Sequence, residues 1–123
     1  MTELLYEEIT GDIIGAAFEV QKELGCGYLE KVYENALVIE LGERGRMVKQ
    51  QVALDVSYKG NMVGHFVADL LVDDKVLVEV KTGKELMPRY EAQLLNYLKA
   101  TGVKVGVLVN FAPRKCEFKR MIY

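Results

Sequence analysis

The sequence predicts an α/β (α+β) domain, a mixed β-sheet flanked by helices in the order ααβββαββ. Three observations predict it. The first 44 residues place apolar side chains at three- and four-residue spacing, the period of helices packed on one side. The middle of the chain changes to two-residue alternation, broken at short polar turns, the pattern of antiparallel strands. A helical stretch then leads into an apolar run, VKVGVLVN, so a strand–helix–strand unit with a right-handed crossover is the default.

Taken in order, Leu5, Ile9, Ile13, Ala16, Ala17, Val20 and Leu24 follow helical spacing and predict a helix over 3–24. Thr2 is its expected N-cap, and Glu3 and Glu7 suit the positive end of the helix. Gly11 and Gly15 weaken it but allow close packing. Gly25-Cys26-Gly27 ends it. A second helix is expected over 28–44, with Val32, Ala36, Leu37, Ile39 and Leu41 as its apolar surface. Glu30, Tyr33 and Glu34 share one face of it. The stretch 47–58 alternates Val52, Leu54 and Val56 against Gln51, Asp55 and Ser57, a strand. Lys59-Gly60-Asn61 is a turn, 62–72 the next strand, and 75–81 its antiparallel partner. Pro88 fits the first turn of a third helix over 88–101, whose core side is read as Leu94, Leu95, Leu98 and Tyr97. Arg89, Gln93 and Asn96 fall on its more polar side. The run 103–110 reads as a strand buried on both faces, and 118–123 as an edge strand.

At 123 residues, half of them apolar, the chain is expected to form one domain, 1–123. No apolar run has membrane-spanning length, and the acidic N-terminus is unlike a signal peptide. Cys26 and Cys116 have neither metal-site nor redox spacing, so both are read as small core residues in a reduced, cytoplasmic setting. Residues 1–80 carry 7 Lys/Arg against 15 Asp/Glu, a net of −8, whereas 81–123 carry 9 against 3, a net of +6. The overall −2 argues against broad coating of nucleic acid. The asymmetry fits a phosphate-binding surface beside an acidic metal site, and equally a mixed folded surface.

The chemistry concentrates in Asp69 to Lys81, DLLVDDKVLVEVK. Asp69, Glu79 and Lys81 interrupt runs of Val and Leu, and a charge buried in a strand is costly unless paired or bound to metal. Glu79 and Lys81 share a strand face. With a three-residue loop, 73–75, Val72 pairs with Val76 and Asp69 falls opposite Glu79; a two-residue loop would separate them. Asp73 and Asp74 are turn residues. His65, the one histidine, makes no zinc site alone and is read as structural.

The Asp-(x)9-Glu-x-Lys pattern resembles the signature of the PD-(D/E)xK nuclease superfamily. GYLEKVY, residues 27–33, spells GxxExxY, and with the hairpin, the helix segments IIGAAFEVQKELG, YENALVIEL and EAQLLNYLKATG, and the strand ending LVNF, the whole chain resembles the GxxExxY protein family of that superfamily. The resemblance implies a restriction-endonuclease-like fold and a Mg²⁺-dependent nuclease, with Mn²⁺ as the alternative ion. It implies Asp69, Glu79 and the helix carboxylate Glu30 as metal ligands, Lys81 as the catalytic lysine, and Gln93 as the polar residue sent in by the following helix. The sequence departs from the pattern at Gln21, where relatives often carry histidine, and at Val67, where they often carry arginine. The implied partner is nucleic acid, DNA ahead of RNA, and a homodimer would suit a small enzyme that cuts both strands. Two readings stand against this: a structural ion-pair cluster of Asp69, Glu79 and Lys81, and a nuclease-fold binding or accessory domain that cleaves little.

Overall fold

A computed structural model describes residues 5–123. The elements are α1 (Glu7–Leu24), α2 (Glu30–Glu43), β1 (Val48–Tyr58), β2 (Asn61–Val72), β3 (Val76–Lys81), α3 (Pro88–Thr101), β4 (Val105–Phe111) and β5 (Cys116–Ile122). This is the expected order, ααβββαββ. The strands form one sheet in the order β1-β2-β3-β4-β5. β3 and β4 run parallel, joined through α3, and the other neighbours are antiparallel.

Helices cover both faces of the sheet. Ile9, Ile13, Ala16, Ala17 and Val20 of α1 and Tyr33, Leu37 and Leu41 of α2 pack against Val76, Val78, Val80, Val105, Val107 and Val109. On the other face, Leu94, Tyr97 and Leu98 of α3 pack against Leu77 and Leu108. Strand alternation thus sends both sets of β3 and β4 side chains into apolar surroundings, and every residue of β4 is buried. Gly106 lets α3 approach: a Cβ there would sit 3.0 Å from the Leu94 side chain. No helix among the described residues is long and apolar enough to cross a membrane.

Several expectations need correction. The buried side of α2 is Tyr33, Glu34, Leu37 and Leu41; Val32 and Ile39, seven residues apart, share the opposite side and are exposed. Leu95 and Leu5 are also exposed. Cys26 is exposed in its glycine turn, so only Cys116 is a core residue. Burial pushes the Cys116 thiol up to about 12, aided by the Glu117 charge, which leaves it unreactive near neutral pH. The expected cap Thr2 and Glu3 lie outside the described residues, and α1 begins at Glu7.

One irregularity shapes the site. Leu70 and Val72 pack under α1 and α2, but Ala68, which strict alternation would put beside them, packs with Leu54 under α3. The switch falls where Gln51 takes a φ of 55° and the β1–β2 pairing skips from Gln50–Leu70 to Val52–Ala68. A left-handed residue without glycine costs about 1–2 kcal/mol. The Gln51 amide offsets part of this by donating to Glu34 Oε2 at 2.8 Å. The residue facing Gln51 across the skipped step is Asp69.

Candidate active site

The β2–β3 turn is the three-residue kind. Val72 pairs with Val76, Leu71 with Leu77 and Leu70 with Val78. Asp73 and Asp74 take φ of 53° and 57°, a conformation that short polar side chains tolerate. The backbone ladder stops after Leu70–Val78, and the next positions in register are Asp69 and Glu79. Side chains take over there. The Asp69 N–H donates to Glu79 Oε1 at 2.9 Å, and the Val80 N–H donates to Asp69 Oδ2 at 2.8 Å. The remaining oxygens, Asp69 Oδ1 and Glu79 Oε2, accept no hydrogen bond among the described residues.

Electrostatics follow from this seating. Glu79 is only 4% exposed. Burial, then the Asp69 charge, pushes its carboxyl up to about 8, against the Asp69 N–H and Lys81. Burial also raises Asp69, against the Val80 N–H, and the Glu34 and Glu30 charges push the same way. Lys81 does not neutralise the pair. Its ammonium lies 5.1 Å from the Tyr90 ring centroid, and among the described residues it forms no ion pair. A structural ion-pair cluster would bring Lys81 onto the carboxylates, so that reading loses its main support. A buried and a half-buried carboxylate side by side without a cation destabilise the fold.

The other expected residues are less convergent. Glu30 is the first residue of α2 and exposed; its charge bears on both Asp69 and Glu79. Among the described residues, no three Asp, Glu, His or Cys side chains form a ready metal cage. Gln93 is half-buried beside Tyr97, and its Oε1 is buried without a hydrogen-bond partner. Tyr97 is buried on the same side of the sheet. Burial raises its phenol, and the Glu79 and Asp69 charges raise it further.

Sequence reasoning missed Glu34 as part of this neighbourhood. It is 4% exposed, and its Oε2 accepts from Lys31 Nζ at 3.1 Å, Gln50 Nε2 at 2.7 Å and Gln51 Nε2 at 2.8 Å. The four-residue step from Glu30 was a signal, but only the fold shows that this second carboxylate turns inward. Tyr33, in contrast, is a packing residue: it is fully buried, donates to the Gly25 carbonyl at 2.7 Å and stacks on Phe111 at 4.3 Å. Gln21, a departure from the family pattern, donates to the Ala112 carbonyl at 2.8 Å. His65 is exposed and meets Asp55 across the strands at 2.5 Å.

The donor set is all oxygen, with two carboxylates each holding one oxygen unused. That suits a hard divalent cation such as Mg²⁺, which takes one or two carboxylates and completes its shell with water.

A model described as the PD-(D/E)XK nuclease superfamily matches residues 7–121. No curated protein matches the chain. Among solved structures, the chain resembles the crystal structure of SSO0001, with a TM-score of 0.60, 16% identity, and 75% of this chain and 48% of that chain covered. The chain therefore spans about half the length of that protein. It also resembles an alkaline exonuclease, LHK-Exo, from Laribacter hongkongensis, with a TM-score of 0.55 and 18% identity over 99% of this chain and 72% of that one. The complex of LHK-Exo with dAMP gives a TM-score of 0.51 and 16% identity over 86% and 75%. At these identities the likeness is one of fold.

Proposed function

We propose a function from the premise that this chain belongs to the PD-(D/E)XK nuclease superfamily: it is a divalent-metal-dependent nuclease that hydrolyses nucleic-acid phosphodiester bonds, DNA ahead of RNA. The observation that carries the reading is the Asp69–Glu79 pair, Glu79 buried and Asp69 half-buried, joined by a hydrogen bond and without an ion-pair partner, with Lys81 two residues further on the same strand face. Such a pair is costly as structure and useful as a cation site.

In this reading Asp69 and Glu79 hold Mg²⁺, or Mn²⁺, through their unused oxygens. When bound, the ion supplies polarisation of a phosphoryl oxygen and acidification of a bound water. Lys81 orients the attacking water and offsets charge developing on the phosphate. Its position against the Tyr90 ring keeps it near the carboxylates without a salt bridge that would occupy it. Gln93, whose buried Oε1 has no partner, reaches water or substrate when its amide turns toward the cleft it lines. Glu30 supplies negative charge at the rim and a third oxygen ligand if α2 moves inward. The GYLEKVY segment further favours the GxxExxY branch.

The accessory-domain reading keeps one specific support: Glu30 stands exposed rather than closing a three-carboxylate cage. Incubating the protein with labelled DNA and RNA panels in Mg²⁺, Mn²⁺ or EDTA separates the two. Metal-dependent cleavage abolished by Glu79→Gln supports the nuclease; binding without cleavage across the panel supports the accessory domain.

A further inference from the structure

A cleft of about 950 Å³ lies between α3 and the β1–β2 ribbon. Its chemistry is uneven. Phe66, from β2, stands in one wall with 45% of its surface exposed, its ring centroid 5.8 Å from that of Tyr97 and tilted by 44°. Arg89 and Lys99, roughly 15 Å apart along the α3 axis by the helical rise, stand at the helix wall. Neither forms an ion pair among the described residues. The one acidic lining residue, Asp55, is engaged with His65. Gln93, whose Oε1 lacks a partner, also lines the cleft. Tyr97 connects it to the carboxylate pair, since it packs in one cluster with Ala68, next to Asp69 on β2, and Leu77, two residues before Glu79 on β3.

An exposed aromatic ring and two cations outside any ion pair, Arg89 against the Tyr90 ring at 5.4 Å and Lys99, are the parts of a single-strand platform: bases stack on the ring, and cations follow the backbone. A paired base in a duplex has both faces occupied by its neighbours, so it has none to give Phe66. We propose that this cleft binds a single-stranded polynucleotide, with one unpaired base stacked on Phe66 and its phosphates held by Arg89 and Lys99. The substrate is then a nucleic acid with an unpaired segment, such as an overhang or flap, leading into the Asp69–Glu79 site. The proposal rests on the nuclease reading for its consequence, but the binding it describes does not require cleavage.

The test measures fluorescence anisotropy of the full chain in EDTA, at one salt concentration, with labelled single-stranded DNA, single-stranded RNA and blunt duplex DNA. At least one single strand should bind about tenfold more tightly than the duplex. Phe66→Ala should erase most of that preference, with a loss of about tenfold on the single strand. Phe66→Leu, which keeps apolar bulk against Tyr97, should lose the preference with its melting temperature retained, which separates stacking from folding. Arg89→Ala combined with Lys99→Ala should weaken binding and flatten its salt dependence. Equal affinity for duplex and single strand, or an unchanged preference in Phe66→Leu, overturns the proposal. Cleavage that ignores unpaired segments overturns it too while leaving the nuclease reading intact. Strand preference without any cleavage upholds the cleft and removes the nuclease reading instead.

Discussion

Asp69 and Glu79 are joined by a hydrogen bond where the β2–β3 ladder ends: the Asp69 N–H donates to the Glu79 carboxylate, and the Asp69 carboxylate in turn accepts from the N–H of Val80, the residue after Glu79. The two strands are thus joined by side chains at the step where backbone pairing stops. Each carboxylate is fixed by one oxygen and presents the other.

The first prediction is that Mg²⁺ or Mn²⁺ raises the melting temperature. A ligand that binds only the folded state contributes about 2.7 kcal/mol at a hundredfold excess over its Kd. Asp69→Asn keeps an oxygen for the Val80 N–H but removes the charge, and should abolish most of the rise. Scanning calorimetry with and without metal measures it; an undiminished rise in Asp69→Asn moves the metal elsewhere.

The second concerns pH. Glu79 is held up to about 8 in the fold, chiefly by burial, against an ordinary value of 4.5. Between those values the folded protein keeps a proton that the unfolded chain has released, so stability without metal falls as pH rises from about 4.5 to about 8. At full proton difference the loss is about 1.4 kcal/mol per pH unit. Raised Asp69 adds to the slope at its acid end. Glu79→Gln should flatten the slope, and metal should do so by replacing the proton. Urea midpoints across pH 5 to 9 in EDTA decide it: a wild type whose stability climbs through this window contradicts the seating.

The third separates rate from affinity. Lys81 projects beside the carboxylates but ion-pairs with neither, so Lys81→Ala leaves both hydrogen bonds of the pair in place. Single-turnover cleavage should fall by about a hundredfold or more, the scale of a positioned electrostatic group. Metal-induced stabilisation should survive, and substrate affinity should change far less than rate. Parallel losses in both would count against a catalytic Lys81.

The fourth concerns Glu34. Glu34→Ala removes the acceptor that ties the exposed Gln50 and Gln51 amides to α2, leaves those donors to water and to Asn35, and should cost about 0.5–1.5 kcal/mol in urea unfolding. It also releases the strained Gln51 opposite Asp69. Glu34→Gln retains an acceptor and should restore part of the stability. A silent Glu34→Ala would show that this carboxylate does not hold the β1 kink.

The sequence by itself determined the element order and the hairpin. Helical spacing, the alternation of β1 and β2, and the double-faced apolar run of β4 are local patterns, because each is set by which side chains a neighbouring layer must bury. Asp69 opposite Glu79 was legible only on condition of a three-residue loop at Asp73-Asp74-Lys75, and the Val72–Val76 register met that condition. Which face of α2 turns inward could not be. Val32 and Ile39 are as apolar as Leu37 and Leu41, and only packing against the sheet chose Tyr33, Glu34, Leu37 and Leu41. For the same reason Glu34 was missed and Cys26 was placed in the core. The kink at Gln51, the Lys81–Tyr90 contact and the Phe66 cleft were also beyond sequence. Each joins residues on different elements, and their meeting depends on how a sheet with helices on both faces closes in space.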